Sequence, residues 1–397
     1  MKKTLAAVAV LGAFAGSALA ADVQLYGIVD LGVGYNHVDV DGLAADDQDS
    51  FQMKSGQASG SRWGIKGTED LGNGLTVGFI LENGFTADDG VDSEPMFNRE
   101  SSLFIEGGFG KFAMGRIGSI NNGQSSWAKV GMISAFGTSD WGGYSAQVGN
   151  IMATAGQWDN MIAYQTPSFA GFKLYAQYSM GKKVTDEYTD EHFVDHEVSL
   201  GEENESSSDR YYAIGATYNN GPFAAYFAVD SMNYSSAYVT DNKGTIGYQD
   251  TDDSLTVTLG GSYDFEVVKV YLGAQYFDEV KLDSMGGVIK AVKASGYDTM
   301  VKGYAVSLSA DAPLWGGKGM IGFGYTDAES ADSEISTEAD VDLQRYVVSL
   351  GYDYSFSKRT DVYAVASWMM DSYENKAVAK DGDPSACTLY VGLRHRF

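Results

Sequence analysis

Residues 345–354 read Arg-Tyr-Val-Val-Ser-Leu-Gly-Tyr-Asp-Tyr, and residues 268–276 read Val-Lys-Val-Tyr-Leu-Gly-Ala-Gln-Tyr. In both stretches every second residue is apolar or aromatic, and the residues between them include charged and amide side chains. A period of two is the repeat of a β-strand, because neighbouring side chains point to opposite faces of the sheet. The same alternation recurs at residues 75–82 and 389–397. These stretches therefore predict strands with one apolar and one polar face.

Two all-β folds give this pattern, a soluble sandwich and a membrane-spanning barrel. Charged and amide side chains on the polar face of strand after strand favour the barrel, whose polar face lines a water-filled lumen. The composition agrees, with 49 Gly, 26 Tyr and 19 Phe but 5 Pro. Beyond the N-terminus no run of 18 apolar residues occurs, so no α-helical membrane span is predicted. The single cysteine, Cys387, excludes an internal disulfide.

Short and long connections alternate along the chain, which is the asymmetry of bacterial barrels with short periplasmic turns and long outer loops. The short turns are 70–74, 107–110, 168–171, 219–222, 264–266, 313–317 and 355–358. The long polar segments are 36–50, 86–96, 118–157, 182–209, 232–252, 280–299, 328–342 and 372–387. Seven turns and eight loops join sixteen strands. The sequence thus predicts a sixteen-stranded antiparallel transmembrane β-barrel, in which the last strand pairs with the first and removes both sheet edges.

The N-terminus has the pattern of a secretory signal. Lys2 and Lys3 precede the apolar run 5–14, and Ala18-Leu19-Ala20 supplies the small residues at a cleavage site. We expect a signal peptide at residues 1–20 and a single barrel domain at residues 21–397. Removal of the two lysines changes the formal net charge from −26 to −28.

Aromatic residues cluster near the predicted strand ends, as at Tyr175 and Tyr178 and again at 352–356. Amphipathic rings are enriched where a barrel crosses the membrane–water interface. We expect these residues to form interface girdles, although aromatic residues favour strands in any case.

The sequence also resembles a known family. The blocks that carry the resemblance are 25–30, 60–67, 69–75, 108–110, 115–116, 167–169, 171–172, 357–360 and 392–397. In this order they are similar to the general-diffusion porins of Gram-negative bacteria, particularly the betaproteobacterial trimeric type. The resemblance implies a sixteen-stranded barrel, a homotrimer, and a third loop, 118–157, that folds inward and narrows the lumen. It also implies that the barrel-assembly machinery recognises the terminal Phe397.

Basic candidates for a pore constriction lie near the first strands. Arg62 and Lys66 share the face opposite Trp63 and are expected inside the barrel. The resemblance implies pore roles for Arg62 and Arg99, but simple alternation turns Arg99 outward unless its strand begins irregularly. Arg116 ends its strand at the third loop and is a candidate for the constriction or an anchor for that loop. Residues 157–160 lack the further arginine that relatives commonly carry there.

Acidic candidates are fewer. Residues 118–157 contain Trp127, Ile133, Phe136 and Trp141, which suits a packed insert. Their charged side chains are Lys129 and Asp140, so Asp140 is the loop carboxylate available to face the basic wall. Strand alternation places Glu82 and Lys54 on the face that lines the lumen. Glu82 is therefore a further candidate for the constriction, and Lys54 is a reserve candidate.

These features predict an outer-membrane channel for passive diffusion of ions and small hydrophilic solutes. The alternatives are a substrate-selective channel and a plugged structural or adhesive barrel. No enzyme is expected, because His37, His192 and His196 fall in loops, His395 has lipid parity, and no nucleophile motif is present. No cofactor, metal or nucleic-acid partner is expected.

The expected surroundings are outer-membrane lipid and lipopolysaccharide, with divalent cations bridging the acidic loops to lipopolysaccharide as an alternative to simple solvation. Segment 182–209 alone has ten acidic residues and two lysines. Acidic loops concentrate cations, whereas the basic wall attracts anions, so the sequence leaves the ion preference open.

Overall fold

The computed structural model describes residues 22–43, 46–181, 184–189, 195–235, 237–240, 246–249, 252–331 and 339–397. The expected signal peptide and His192 lie outside these residues. The regular secondary structure of the described residues is almost entirely strand, with short helical turns at Val130–Ile133, Val148–Ile151, Leu282–Met285 and Val288–Ala291. Within the described ranges, no helix has the length and apolarity to cross a membrane.

The strands, in chain order, are β1 (Asp22–Asp39), β2 (Gln48–Ser55), β3 (Arg62–Gly72), β4 (Leu75–Gly84), β5 (Glu100–Gly107), β6 (Gly110–Gly118), β7 (Gln157–Gln165), β8 (Phe172–Ser179), β9 (Val184–Thr189), β10 (Asp195–Gly201), β11 (Arg210–Asn220), β12 (Phe223–Asn233), β13 (Ala237–Thr240), β14 (Ile246–Gln249), β15 (Leu255–Asp264), β16 (Lys269–Lys281), β17 (Met300–Leu314), β18 (Gly317–Ser330), β19 (Val341–Ser355), β20 (Thr360–Asn375), β21 (Lys380–Gly382) and β22 (Ser385–Arg396).

One closed antiparallel sheet forms the wall. β1 pairs with β22 on one side and with β2 and β3 on the other, so the first and last strands close the sheet. β2 and β3 together cross the wall once, and the short β21 only extends the connection beside β20. The hairpins β9–β10 and β13–β14 belong to separate two-stranded sheets. The wall therefore has sixteen strands, as predicted.

All seven predicted short turns join consecutive wall strands, and the eight long connections lie between the remaining pairs. Asn73 and Gly74, which link β3 to β4, have φ of +54° and +75°. Positive φ at both central residues is typical of a two-residue hairpin turn, and Asn-Gly adopts it readily. The alternation of short and long connections is confirmed.

The pattern of burial along β19 distinguishes the face of the wall that is exposed from the face that is enclosed. Arg345, Val347 and Ser349 are buried, whereas the alternating Val348 and Leu350 are exposed, Leu350 by 56%. A soluble sandwich would bury its apolar face against a second sheet. Here a continuous apolar face is exposed and the polar face is enclosed, which is the arrangement of a barrel in lipid. We refer to these as the outer face and the lumen face.

The girdle prediction was wrong for Tyr175. Its side chain is 6% exposed and shares the lumen face of β8 with the buried Gln177. Tyr178 lies on the outer face, where its ring contacts Tyr212 at a centroid distance of 5.0 Å. The two residues are three apart, so strict alternation places them on opposite faces.

The wall also has a break, opposite strand β1, that the sequence did not predict. Residues 56–61 interrupt the strand formed by β2 and β3, and the carboxylate of Asp30 accepts hydrogen bonds from the backbone N–H groups of Ala58 and Ser59, at 2.9 and 2.7 Å. Tyr363 on β20 donates to the other Asp30 oxygen at 2.5 Å. Asp30 is fully buried. Asp30 therefore connects the break to β1 and β20, which lie on either side of β22, the strand that closes the sheet.

A buried ion pair holds two loop segments against the wall. Arg345 on β19 and Asp371 on β20 are fully buried, with Nε and Oδ1 2.6 Å apart. Arg345 Nη1 also donates to the carbonyls of Asn150 and Met285, at 2.9 and 2.6 Å. Asp371 in turn accepts from the backbone N–H of Val288 at 2.7 Å. One ion pair thus clamps residues of two long connections.

Replacement of Arg345 by Met will destabilise the barrel, because it leaves the carboxylate of Asp371 buried without its cation. Loss of one partner of a buried pair costs about 3–5 kcal/mol. The free energy of unfolding of the refolded protein, measured by urea titration in lipid vesicles, should fall by that amount. The matched control is Lys376→Met, which removes an exposed pair with Asp342 (2.5 Å, both side chains nearly half exposed). Its loss of stability should be much smaller, because solvent screens an exposed pair, and equal losses in the two variants would contradict the prediction.

Candidate functional site

The long segment between β6 and β7, residues 119–156, contacts the wall at many points. Its backbone N–H groups donate to lumen-face side chains: Ile120 to Gln177, Ala135 to Ser309, Ala146 to Ser349 and Ala153 to Gln275, at 2.7–2.9 Å. Its carbonyl groups accept from Thr326 and Thr388, and its Asn121 amide donates to Asp230 at 2.9 Å. These partners lie on β8, β12, β16, β17, β18, β19 and β22. The segment is bonded to strands around most of the barrel.

Apolar side chains of this segment fit against glycines on the lumen face. A Cβ atom at Gly324 would lie 2.3 Å from Ile151 Cδ1, and one at Gly260 would lie 2.6 Å from Ile133 Cγ2. Both positions therefore need glycine to admit the loop side chains. Trp127, Ile133, Phe136 and Trp141 are all buried. The four apolar side chains named from the sequence are thus packed rather than exposed to solvent.

A cavity of about 650 Å³ lies between this segment and the wall. Its lining includes five of the six candidate residues, Arg62, Lys66, Glu82, Arg99 and Asp140. The first four belong to the wall or its edge, and Asp140 belongs to the segment. The structure therefore brings basic wall residues and the loop carboxylate to one aqueous space.

Glu82 organises the basic wall. Its Oε1 lies 2.7 Å from Arg99 Nε, and its Oε2 lies 3.5 Å from Arg62 Nε. Tyr26 on β1 donates to Oε2 at 3.0 Å. The carboxylate thus holds two guanidinium groups side by side, where each would otherwise repel the other. Arg62 retains more accessible surface, with 23% of its side chain exposed against 8% for Arg99.

Arg99 reaches the lumen because it precedes the regular part of β5. The strand begins at Glu100, and Arg99 lies in a bend after Phe97, which has φ of +62°. Its side chain is therefore free of the alternation that turns Leu103 outward. Arg99 Nη1 donates to Gln124 of the segment at 2.9 Å.

Glu100 also lines the cavity, although it was not among the residues predicted from the sequence. Its carboxylate accepts from the N–H and hydroxyl of Ser126, at 2.8 and 3.0 Å, and from Ser102 at 2.8 Å. The parity of β5 could have found it, since Glu100 alternates with the outward Leu103.

Arg116 is not part of this cavity. Its Nη1 lies 2.5 Å from Asp159 Oδ1 at the start of β7, and its Nε donates to the carbonyl of Asn98 at 2.9 Å. It ties both ends of the 119–156 segment together. Asp159 lies within residues 157–160, where relatives were expected to carry an arginine. In this chain Asp159 instead forms an ion pair with Arg116.

Lys129 is the basic side chain of the segment and lies away from the arginines. Its Nζ donates to the carbonyl of Ser126 at 2.9 Å and lies 5.8 Å from the centroid of the Tyr175 ring. Burial lowers the pKa of Lys129 to about 8, with repulsion from Lys173 and Lys111 adding to the effect and Glu100 opposing it. Lys129 therefore titrates near neutral pH. Among the described residues, no group of three or more His, Cys, Asp or Glu side chains is placed to hold a metal ion.

Comparison with known proteins agrees with this geometry. The family model described as Gram-negative porin matches residues 6–374. The chain belongs to the Gram-negative porin family. It is 35% identical to an outer membrane porin protein of Bordetella pertussis and 30% identical to outer membrane porin protein 32 of Delftia acidovorans, with full coverage of both chains in each case.

A solved structure, the anion-selective porin from Comamonas acidovorans, is similar over 95% of this chain and 100% of that chain, with 26% identity and a TM-score of 0.62. The chain is thus a multi-pass protein of the bacterial outer membrane, and it is a channel for passive diffusion. The family and the barrel are those of a channel rather than an enzyme.

Raising the pH from 7 to 9 will shift the selectivity of this porin toward cations, because Lys129 loses its charge. With a pKa of about 8, its charged fraction falls from about nine-tenths to about one-tenth. The reversal potential in a salt gradient, measured in planar bilayers, reports the shift.

Two variants separate Lys129 from other groups. Lys129→Gln should show the pH 9 selectivity of the wild type at both pH values, and Lys129→Arg should keep the pH 7 selectivity at both. A shift of unchanged size in Lys129→Gln would show that another group titrates.

Proposed function

We propose that residues 119–156 fold into the barrel and narrow an open aqueous pore for ions and small hydrophilic solutes. The observation that carries this proposal is the set of hydrogen bonds from this one segment to lumen-face side chains on seven strands. A loop above the barrel would contact neighbouring strand ends, whereas a segment inside it contacts distant strands. The cavity of about 650 Å³ beside the segment is the space that this proposal assigns to the water path.

The proposed constriction lies between Asp140 and the wall residues Arg62, Lys66, Glu82 and Arg99. Charges of opposite sign across a narrow aqueous gap create a transverse field, which orders water and sorts solutes by charge and dipole. Arg116 sits outside this gap and serves as an anchor of the segment.

The quaternary structure and export route are further parts of the proposal. Solved barrels of similar fold include an outer membrane protein of Vibrio cholerae described as a trimer form, 15% identical to this chain. We infer a homotrimer surrounded by lipid and lipopolysaccharide, formed after removal of residues 1–20. Phe397, with its apolar ring nearly half exposed at the end of the last strand, is the feature for the barrel-assembly machinery to bind.

Two other functions fit the barrel less well. A substrate-selective channel is favoured only by the basic residues of the lumen, and a plugged barrel is opposed by the cavity between segment and wall. The four histidines and the absence of a nucleophile motif in the sequence give no support for catalysis.

Refolded residues 21–397 should open in planar bilayers in groups of three equal conductance steps. A folded protein without steps would show a plugged barrel, and single steps with a monomeric band on unboiled gels would contradict the trimer.

Arg62→Gln should raise the ratio of cation to anion permeability by a factor of about five to thirty, because loss of the charge favours the cation and disfavours the anion by similar energies. A unit charge a few ångströms from an ion in water contributes about 0.5–1 kcal/mol. Reversal potentials in a salt gradient measure the ratio. The control is Arg359→Gln in the exposed turn between β19 and β20, which should leave the ratio unchanged. An equal effect of both variants would remove Arg62 from the constriction.

A further inference from the structure

Three lysines lie together on the lumen side of the wall, away from the arginines of the constriction. They are Lys111 on β6, Lys173 on β8 and Lys129 on the 119–156 segment, and we refer to them as the lysine cluster. Lys111 Nζ lies 3.8 Å from the centroid of the Phe104 ring and 5.7 Å from that of Trp127. Lys129 Nζ lies 5.8 Å from the centroid of Tyr175. Aromatic rings therefore separate and position the ammonium groups.

The strand register explains why these residues meet. Lys111 pairs with Gln165 on β7, which in turn pairs with Tyr175 on β8. Lys173 is two residues from Tyr175 and shares its face, since side chains repeat with a period of two. Lys129 then lies over this row from the segment. All three side chains are half-buried.

The cluster differs from the arginines of the lumen in its pairing. Arg62 and Arg99 contact Glu82, Arg116 contacts Asp159, and Arg394 contacts Asp353 and Asp361. Within the part of the chain that the structure describes, no carboxylate oxygen lies within 4.0 Å of an ammonium group of the cluster.

Two carboxylates face the cluster without contacting it. Glu106 on β5 pairs in register with Lys111, and Glu100 is occupied by its bonds to Ser102 and Ser126. Three positive charges therefore face two negative ones, and none of the three ammonium groups forms an ion pair with a carboxylate of the described residues. The constriction has an even balance, because Arg62, Lys66 and Arg99 share its lining with Glu82, Glu100 and Asp140.

We propose that the lysine cluster is a binding site for small doubly charged oxyanions, which gives the pore affinity for this class of solute. Ammonium groups attract a doubly charged ion twice as strongly as chloride at the same distance. An ammonium group carries three N–H donors, which fit tetrahedral oxyanions. Lys129 already donates to the carbonyls of Ser126 and Ala128, so Lys111 and Lys173 supply most of the donors. Partial burial lowers the local dielectric and strengthens this attraction. The inference rests on the proposed function, because sulfate binding is read out as a loss of pore conductance.

Inorganic sulfate is the probe, because it stays doubly charged throughout the neutral range. Sulfate added to both sides of a bilayer at constant ionic strength should reduce the chloride conductance of the wild type in a saturable manner. Acetate at equal concentration should not, because it carries one charge. The double variant Lys111→Gln/Lys173→Gln should raise the half-blocking sulfate concentration by about tenfold or more.

Three controls locate the effect. Lys111→Arg/Lys173→Arg keeps both charges and should keep the block within about threefold of wild type. Lys269→Gln removes a lysine that also lies over a tyrosine, 5.0 Å from the Tyr271 centroid, but on β16, and should change nothing. Arg62→Gln should alter the reversal potential while sulfate still blocks.

The outcomes separate this inference from the function it rests on. Chloride steps of normal size with no sulfate block would overturn the lysine site and leave the diffusion pore standing. A block lost in Arg62→Gln but kept in Lys111→Gln/Lys173→Gln would place the anion at the arginines and overturn it as well. Absence of chloride steps in the folded protein would overturn both.

Discussion

The hydrogen-bonding requirement of a backbone in hydrocarbon governs this structure. Lipid offers no partner to a free N–H or C=O group, so a sheet that spans the membrane must close on itself. Here the closure depends on the pairing of β1 with β22 along residues 28–39. Once the sheet is closed, the period of two along each strand assigns one face to lipid and the other to the lumen. The exposed Leu350 and the buried Ser349 are adjacent residues with these two environments.

Closure also creates a problem inside the barrel, because a sixteen-stranded wall encloses more space than its own side chains fill. In the proposed arrangement the 119–156 segment occupies part of that space, and its backbone is hydrogen-bonded to lumen-face Ser, Thr and Gln side chains. Its apolar residues pack where the wall has glycine, as Ile151 does at Gly324. The Arg345–Asp371 pair clamps the segment and a second connection to the same wall. What remains open is bordered by charged residues, and this is the basis of the proposed selectivity.

Local signals in the sequence were sufficient for the wall. Asn73-Gly74 and the other turns, together with the alternation, predicted every wall strand. Parity also placed Arg62, Lys66 and Glu82 correctly on the lumen face.

The contacts inside the lumen could not be read in this way, because they join residues far apart in the chain. The bond from Tyr363 to Asp30 spans the barrel seam, and the break at residues 56–61 depends on it. Arg99 required an irregular strand start that no motif marks. The lysine cluster can be recognised only when the register of three strands and the path of the segment are both known.

The position of the 119–156 segment is tested most directly by placing a thiol on it and asking whether the current passes it. Ser139 lines the cavity and is partly accessible, and Cys387 on the outer face can be replaced by Ser to leave one reactive thiol. Single-channel conductance of Ser139→Cys in the Cys387→Ser background is recorded before and after addition of a bulky, charged methanethiosulfonate reagent. If the segment narrows the pore, each of the three steps shrinks as its thiol is modified, and a reducing agent restores it. Full modification with unchanged conductance would contradict a pore narrowed by this segment.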